Sequence, residues 1–242
     1  MIKLLRNFRR NVIMENKTSK YIKYAIGEIA LVVIGILIAL QINNWNQNRQ
    51  QKAQLNSILK SVKEDLKTDT TVVAQVIKFY DTINKYSNKV MSKEFNADSL
   101  NYCSMCTSLV TLYQPMTIQE KGVQQLKNFT DYNSVKRDTL ITNVTQFYTI
   151  FDDLISNNNQ MVKKEIIENL DHFKKQDWFI NWIQGIKDQR VTDYFGNSQD
   201  YKNRVAAHNI LAAQNHQRIL QLYKTRATAL LKEIEARLED NS

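Results

Sequence analysis

Residues Ala25–Ile42, AIGEIALVVIGILIALQI, constrain this chain more than any other stretch. From Ile29 to Leu40 twelve consecutive residues carry no polar side chain. With its flanks the run reaches about 18 residues, which at about 1.5 Å per residue spans a bilayer's hydrocarbon core. It reads as a single transmembrane helix. Three segments result: a basic cytoplasmic tail over residues 1–23, a signal-anchor helix over 24–43, and an extracytoplasmic helical domain over 44–242. The last is long enough to bury a core.

The charge distribution sets the expected orientation. Residues 1–27 hold seven basic side chains (Lys3, Arg6, Arg9, Arg10, Lys17, Lys20 and Lys23) against Glu15 alone, a net +6 of the chain's +9. A basic block directly before a lone apolar span is the positive-inside pattern. It places the N-terminus on the cytoplasmic side of the membrane, and it accounts for the charge without nucleic acid. Ile2, Leu5, Phe8 and Val12 recur about once per turn among the basic residues. That segment is either an amphipathic helix on anionic lipid headgroups or a disordered charged tail. Tyr21, Tyr24 and Trp45 stand where interfacial anchors belong. The run exceeds a signal-peptide core and no A-x-A-like cleavage site comes after it, so the anchor is expected to stay uncleaved. Glu28 is read as snorkelling toward the headgroups, with an intramembrane functional acid as the alternative. Gly35 and Ala39 form a weak small-xxx-small pair.

Gly27–Asn46, GEIALVVIGILIALQINNWN, preceded by the basic segment Glu15–Tyr21, resembles the head of an uncharacterised bacterial family. Its members are single-span membrane proteins filed as a domain of unknown function and common among flavobacteria-like organisms. The resemblance is specific over about residues 1–50. It implies a location, implies no activity, and carries over no functional residue.

One Pro and five Gly in 242 residues leave little punctuation for sheets with tight turns, so the rest is expected to be all-α. Leu55, Leu59, Val62, Leu66, Asp69, Val73, Val76, Tyr80 and Ile83 trace a heptad seam, apolar except at Asp69. A carboxylate there needs a partner or water. The seam must be covered by this chain's own helices or by a second copy. Asn96, Asp98 and Ser99 predict a helix start before Leu100, Cys103, Cys106, Leu109 and Val110, ending at Pro115. Thr117-Ile-Gln-Glu120 spells a capping box for a short helix loosened by Gly122.

A long helix is expected after Asp131 or Asn133. Its apolar face is Leu140, Val144, Phe147, Phe151, Leu154, Val162, Ile166, Leu170 and Phe173. Asn157-Asn158-Asn159 is a loop or an exposed turn within it. Asp177–Ile186, with Trp178, Phe179, Trp182, Ile183 and Ile186, reads as a short helix plugging a bundle core, or else as a binding surface. Gly196-Asn197-Ser198 breaks the chain and Ser198 caps a last helix to about Glu239. The middle of that helix (His208, Ala212, Asn215) is poor in large apolar residues and is expected to pack loosely or wet.

No catalytic, cofactor or metal signature stands out. Cys103-Ser-Met-Cys106 has redox spelling but lacks the strand that precedes a thioredoxin-type site. Two small buried thiols are expected over a strained disulfide. His172, His208 and His216 lie far from the cysteines, and His208 and His216, eight apart, are read as surface or polar-layer residues. The five glycines compose no phosphate loop.

The fold expected is one transmembrane helix and then an elongated extracytoplasmic helical bundle or coiled coil. The function expected is a non-catalytic envelope scaffold or interaction module, self-associating or binding another protein. The alternative is a ligand-sensing bundle that signals through a membrane partner. A thiol redox protein comes third and rests wholly on Cys103 and Cys106.

Overall fold

A computed structural model describes residues 18–129 and 138–240, in two compact units, residues 1–55 and 56–242. The first helix, α1, runs Thr18–Met91 without interruption. No Gly or Pro occurs from residue 36 to 114 to stop it.

In the first unit, apolar side chains stand exposed on every side of α1, among them Leu31, Val32, Ile34 and Leu37, each more than half exposed. A helix apolar on all sides belongs either in a protein core or in a membrane. This part of α1 is long and apolar enough to cross a membrane and lies near the N-terminus, so it is a candidate single span. Trp45 is exposed, with the Arg49 guanidinium 5.5 Å from its ring centroid. The stretch expected as an amphipathic helix, residues 2–13, and the side chain of Tyr21 lie outside the described residues.

All nine seam positions of α1 are buried, Asp69 included. In the second unit the chain's own segments supply the cover, through contacts centred on Asp69 and Tyr80. The region after α1 differs from expectation. Asn96 accepts from the Asp98 and Ser99 amides in a capping box, but instead of an α-helix the chain forms three short 3₁₀ turns, Ala97–Tyr102, Ser104–Thr107 and Leu109–Thr111. Ser, Asn and Thr side chains here compete for backbone hydrogen bonds and disfavour a regular α-helix. Cys103 and Cys106 are joined in a disulfide rather than left as thiols, with Cα atoms 5.3 Å apart. The Cα separation falls within the range that a disulfide bridges.

Helix α2, Lys121–Lys127, starts without the expected capping box, and the Glu120 side chain caps nothing. Carboxylates from α1 take that role: Asp69 accepts from the Gln119 amide and Asp65 from the Gly122 amide at 2.6 Å. Gly122 permits this approach, since a Cβ there would come within 2.4 Å of the Val62 nitrogen. Helix α3, Thr139–Phe173, is capped by the Asp138 side chain, which Arg237 also engages. The helix starts expected at Asp131 or Asn133 fall outside the described residues. Asn157–Asn159 is helical. Asn159 grips the Met116 backbone, donating to its carbonyl at 2.6 Å and accepting its amide at 3.3 Å. The buried face of α3 holds most of the expected positions. However, Leu154 is exposed and Leu170 half-buried, while Tyr148, Ile155 and Asn169 are buried.

Helix α4, Phe179–Ile183, ends at Gly185, whose φ of 64° is left-handed. Helix α5, Gln189–Asn197, comes next. Ser198 then caps α6, Gln199–His208, as expected, accepting from the Asp200 and Tyr201 amides. Residues Asn209–His216 form a π-helical stretch, and α7, Gln217–Asp240, completes the chain. No strand occurs among the described residues.

Candidate functional site

Tyrosines dominate the largest fully buried side chains: Tyr80, Tyr148, Tyr201 and Tyr223, beside Phe173 and Phe195. Each buried hydroxyl needs a partner. Tyr80 donates to the Gln114 carbonyl at 3.0 Å, Tyr201 to the Cys106 carbonyl, and Tyr223 to the Asp69 carboxylate at 2.7 Å. The Tyr148 hydroxyl has none.

Asp69 is the first polar layer. Its two oxygens accept the Gln119 amide at 3.2 and 3.1 Å as well as the Tyr223 hydroxyl. Burial pushes its pKa up to about 6, against these hydrogen bonds. The sequence marked this residue as needing a partner, and the structure supplies three donor contacts. They tie α1 to α7 and to the segment that leads into α2.

The second polar layer is the π stretch. His208, Asn209 and His216 are buried, where at least two of them could have been surface residues by spacing alone. Positions eight apart share one face of a helix, and here that face is turned to the core. Asn209 donates to Asn84 on α1 at 3.1 Å, and Gln217 donates to Asp81. His216 stacks edge-on against Tyr80 at 5.3 Å. Neither imidazole has a hydrogen-bond partner, nor do Asn209 Oδ1 and Ser87 Oγ. The Leu112 carbonyl approaches His208 and favours its proton without reaching hydrogen-bonding geometry. Burial pulls both pKa values down to about 4. The segment that the sequence reads as poor in large apolar residues is buried and carries unpaired polar groups. The sequence signal for it was the pair of histidines flanking Ala212 and Ala213.

The aromatic segment plugs the core, the first of the two readings its sequence offered. Trp178 is buried and, with Trp182, packs on Phe173 and Phe195 at 5.3–5.7 Å, closing one part of the core. Ile180, Ile183 and Ile186 instead point to solvent. Asp177 and Asp188 grip Arg190 from two sides.

A groove of about 370 Å³ lies between α3 and α7. Phe147, Phe151 and Leu230 form its buried floor, and exposed Ile150 and Leu222 its walls. Sequence periodicity missed it, because it assigned Leu154 beside it to the core.

The cysteines are oxidised and buried, which leaves no accessible thiolate. Among the described residues no three His, Cys, Asp or Glu side chains are grouped to hold a metal ion.

The fold and its candidate span define a class: an all-helical protein with one apolar N-terminal helix. The chain belongs to a family described as "Family of unknown function (DUF6090)", matched over residues 28–181. The matched stretch begins at Glu28 and ends inside α4, so it takes in the α1 seam, α2 and α3. No curated protein and no solved structure matches the chain.

Proposed function

We propose that this protein is a non-catalytic, membrane-anchored helical interaction or scaffold protein of the bacterial envelope. The observation that carries the reading is the α3–α7 groove. The core's seam is covered by the chain's own segments, yet a groove with an aromatic floor and a rim that includes Asn143, Gln146, Arg226 and Glu233 stays open. Grooves of this shape receive amphipathic helices. The candidate span and the basic residues 1–23 would fix the domain to an inner membrane through lipid acyl chains and anionic headgroups, N-terminus in the cytoplasm. The Cys103–Cys106 disulfide supports an oxidising, extracytoplasmic side for residues 44–242. Protease added to intact spheroplasts is expected to digest that domain, and a protected C-terminal tag would reverse the orientation.

The test of function is affinity purification of the tagged full chain from crosslinked native membranes, read by mass spectrometry. A stoichiometric envelope protein or a second copy supports the reading, whereas recovery of uncrosslinked single chains alone sinks it. A second reading, ligand sensing through a membrane partner, draws on the π stretch, since such irregularities recur at functional sites. A small molecule that raises the full chain's melting temperature and is lost in His208→Leu would favour it.

A further inference from the structure

We propose that the α3–α7 groove is the contact between two copies of this chain, related by a two-fold axis running along the helices. This deepens the interaction-module reading and rests on it. The α1 seam, the surface that sequence offered for self-association, is consumed within each chain.

The geometry of the groove supplies both halves of the contact. Helices α3 and α7 are antiparallel: Asp138 meets Arg237, Asn143 hydrogen-bonds Glu233 at 3.2 Å, and the Phe151 ring lies 5.3 Å from Tyr223. That register puts Leu154 and Leu222 at nearly the same level. On α3, Ile150, Leu154 and Met161 are 54%, 38% and 51% exposed and lie at i, i+4, i+11 spacing, one stripe beside the core face. On α7, Leu222, Arg226, Ala229 and Glu233 repeat at 4-3-4 along the same edge. Two heptad-spaced faces side by side are half of a four-helix layer. A two-fold along the helices sets each α3 stripe opposite the other copy's α7 and keeps every residue at its level. Leu154 of one copy then meets Leu222 of the other.

Charge selects the second copy over an arbitrary helix. Asp153 lies on the outer edge of the α3 stripe, and Arg218 and Arg226 on α7. All three are exposed and have no ion-pair partner among the described residues. At the shared level Asp153 falls opposite Leu222 of the other copy. Arg218 and Arg226 stand four residues to either side, about 6 Å along the axis and within guanidinium reach. Symmetry makes the contact twice. A foreign helix would have to present the same apolar spacing with an acid at that level. A common membrane anchor also raises the effective concentration of two copies, so a shallow contact suffices.

Two tagged full-length versions co-expressed in native membranes test this, one carrying Leu154→Cys and the other Leu222→Cys, treated with a short bismaleimide. Both positions are exposed, so the fold tolerates them, and the native cysteines are bonded and buried. Mixed 154–222 dimers are expected, well above those formed through a Lys89→Cys control on α1. Asp153→Lys in both versions is expected to drop the yield to that control level, and adding Arg226→Glu to restore it. Yields at the control level from the start, or unmoved by the charge changes, overturn the proposal. Adducts to a different envelope protein at these cysteines overturn the two-copy contact while the interaction reading stands. No adduct to any protein at either position removes the groove from both.

Discussion

The bundle buries polar groups at two levels and treats them in opposite ways. At Asp69 the Gln119 amide and the Tyr223 hydroxyl both meet the carboxylate, so that three segments converge on it, and only the nearby Tyr148 hydroxyl goes without an acceptor. Around His208 and His216 two imidazoles, an amide oxygen and a hydroxyl go unpaired. A satisfied buried network locks its elements together, whereas an unsatisfied one costs stability that only neutral, deprotonated rings keep small. The first layer is a clasp and the second a weakness conditional on pH.

The largest expected effect sharpens that contrast. The histidine pKa values of about 4 lie below the usual 6.5, so the unfolded chain binds their protons first as pH falls. Stability is full above about pH 6.5 and declines toward pH 4, by about 3 kcal/mol per ring. Asp69, raised to about 6, works in reverse, and its share declines as pH rises from about 4 to 6. Thermal melts of the full chain in detergent, monitored by Trp178 and Trp182 fluorescence, are expected to show stability rising from pH 4 to 6.5. In His208→Leu/His216→Leu the slope over pH 4–6 is expected to flatten or invert. An unchanged slope would mean that the rings are hydrated and do not differ from free histidine.

Breaking the clasp comes next. Asp69→Ala strands the Tyr223 hydroxyl and the Gln119 amide inside the core and is expected to cost about 3 kcal/mol, read as a lower urea midpoint at pH 7. Tyr223→Phe removes one donor only and is expected to cost about 1–2 kcal/mol while lifting the Asp69 pKa further. If Asp69→Ala proves neutral, the two layers are not different in kind. The smallest effect belongs to the exposed stripe beside the groove: Leu154→Ser is expected to shift the folding stability of a single, uncrosslinked chain by less than about 0.5 kcal/mol. Leu66→Ala, in the buried seam, is expected to cost about 2–5 kcal/mol. Equal costs would put Leu154 in the core after all.

What sequence made legible was whatever a single helix determines alone. The α1 seam was readable because each of its nine positions obeys one local period, and even its polar misfit was marked in advance. Ser198 was readable because a cap bonds amides two and three residues away. Features decided across the chain were not. The Thr117–Glu120 capping box lost to Asp65 and Asp69, which are 57 and 50 residues from the amides they accept. The 3₁₀ turns that carry the disulfide are met by Tyr201, 95 residues further on, whose hydroxyl donates to the Cys106 carbonyl. Leu154 fits the helical period as well as its buried neighbours do, and only the position of α7 leaves it outside. The π stretch defeats any fixed period, because it changes the period itself. The candidate site was the least legible part, since a groove belongs to two helices and to neither sequence segment.

Gly122 gives the fold a point of mutational intolerance that no count of contacts would reveal. A library saturating that position should return glycine alone. Even alanine would push α2 away from the Val62 backbone and pull the Gln119 and Gly122 amides from their carboxylates. The absence of one carbon atom at position 122 thus guards the burial of a charge on another helix. Any redesign of this domain has to begin by leaving that atom out.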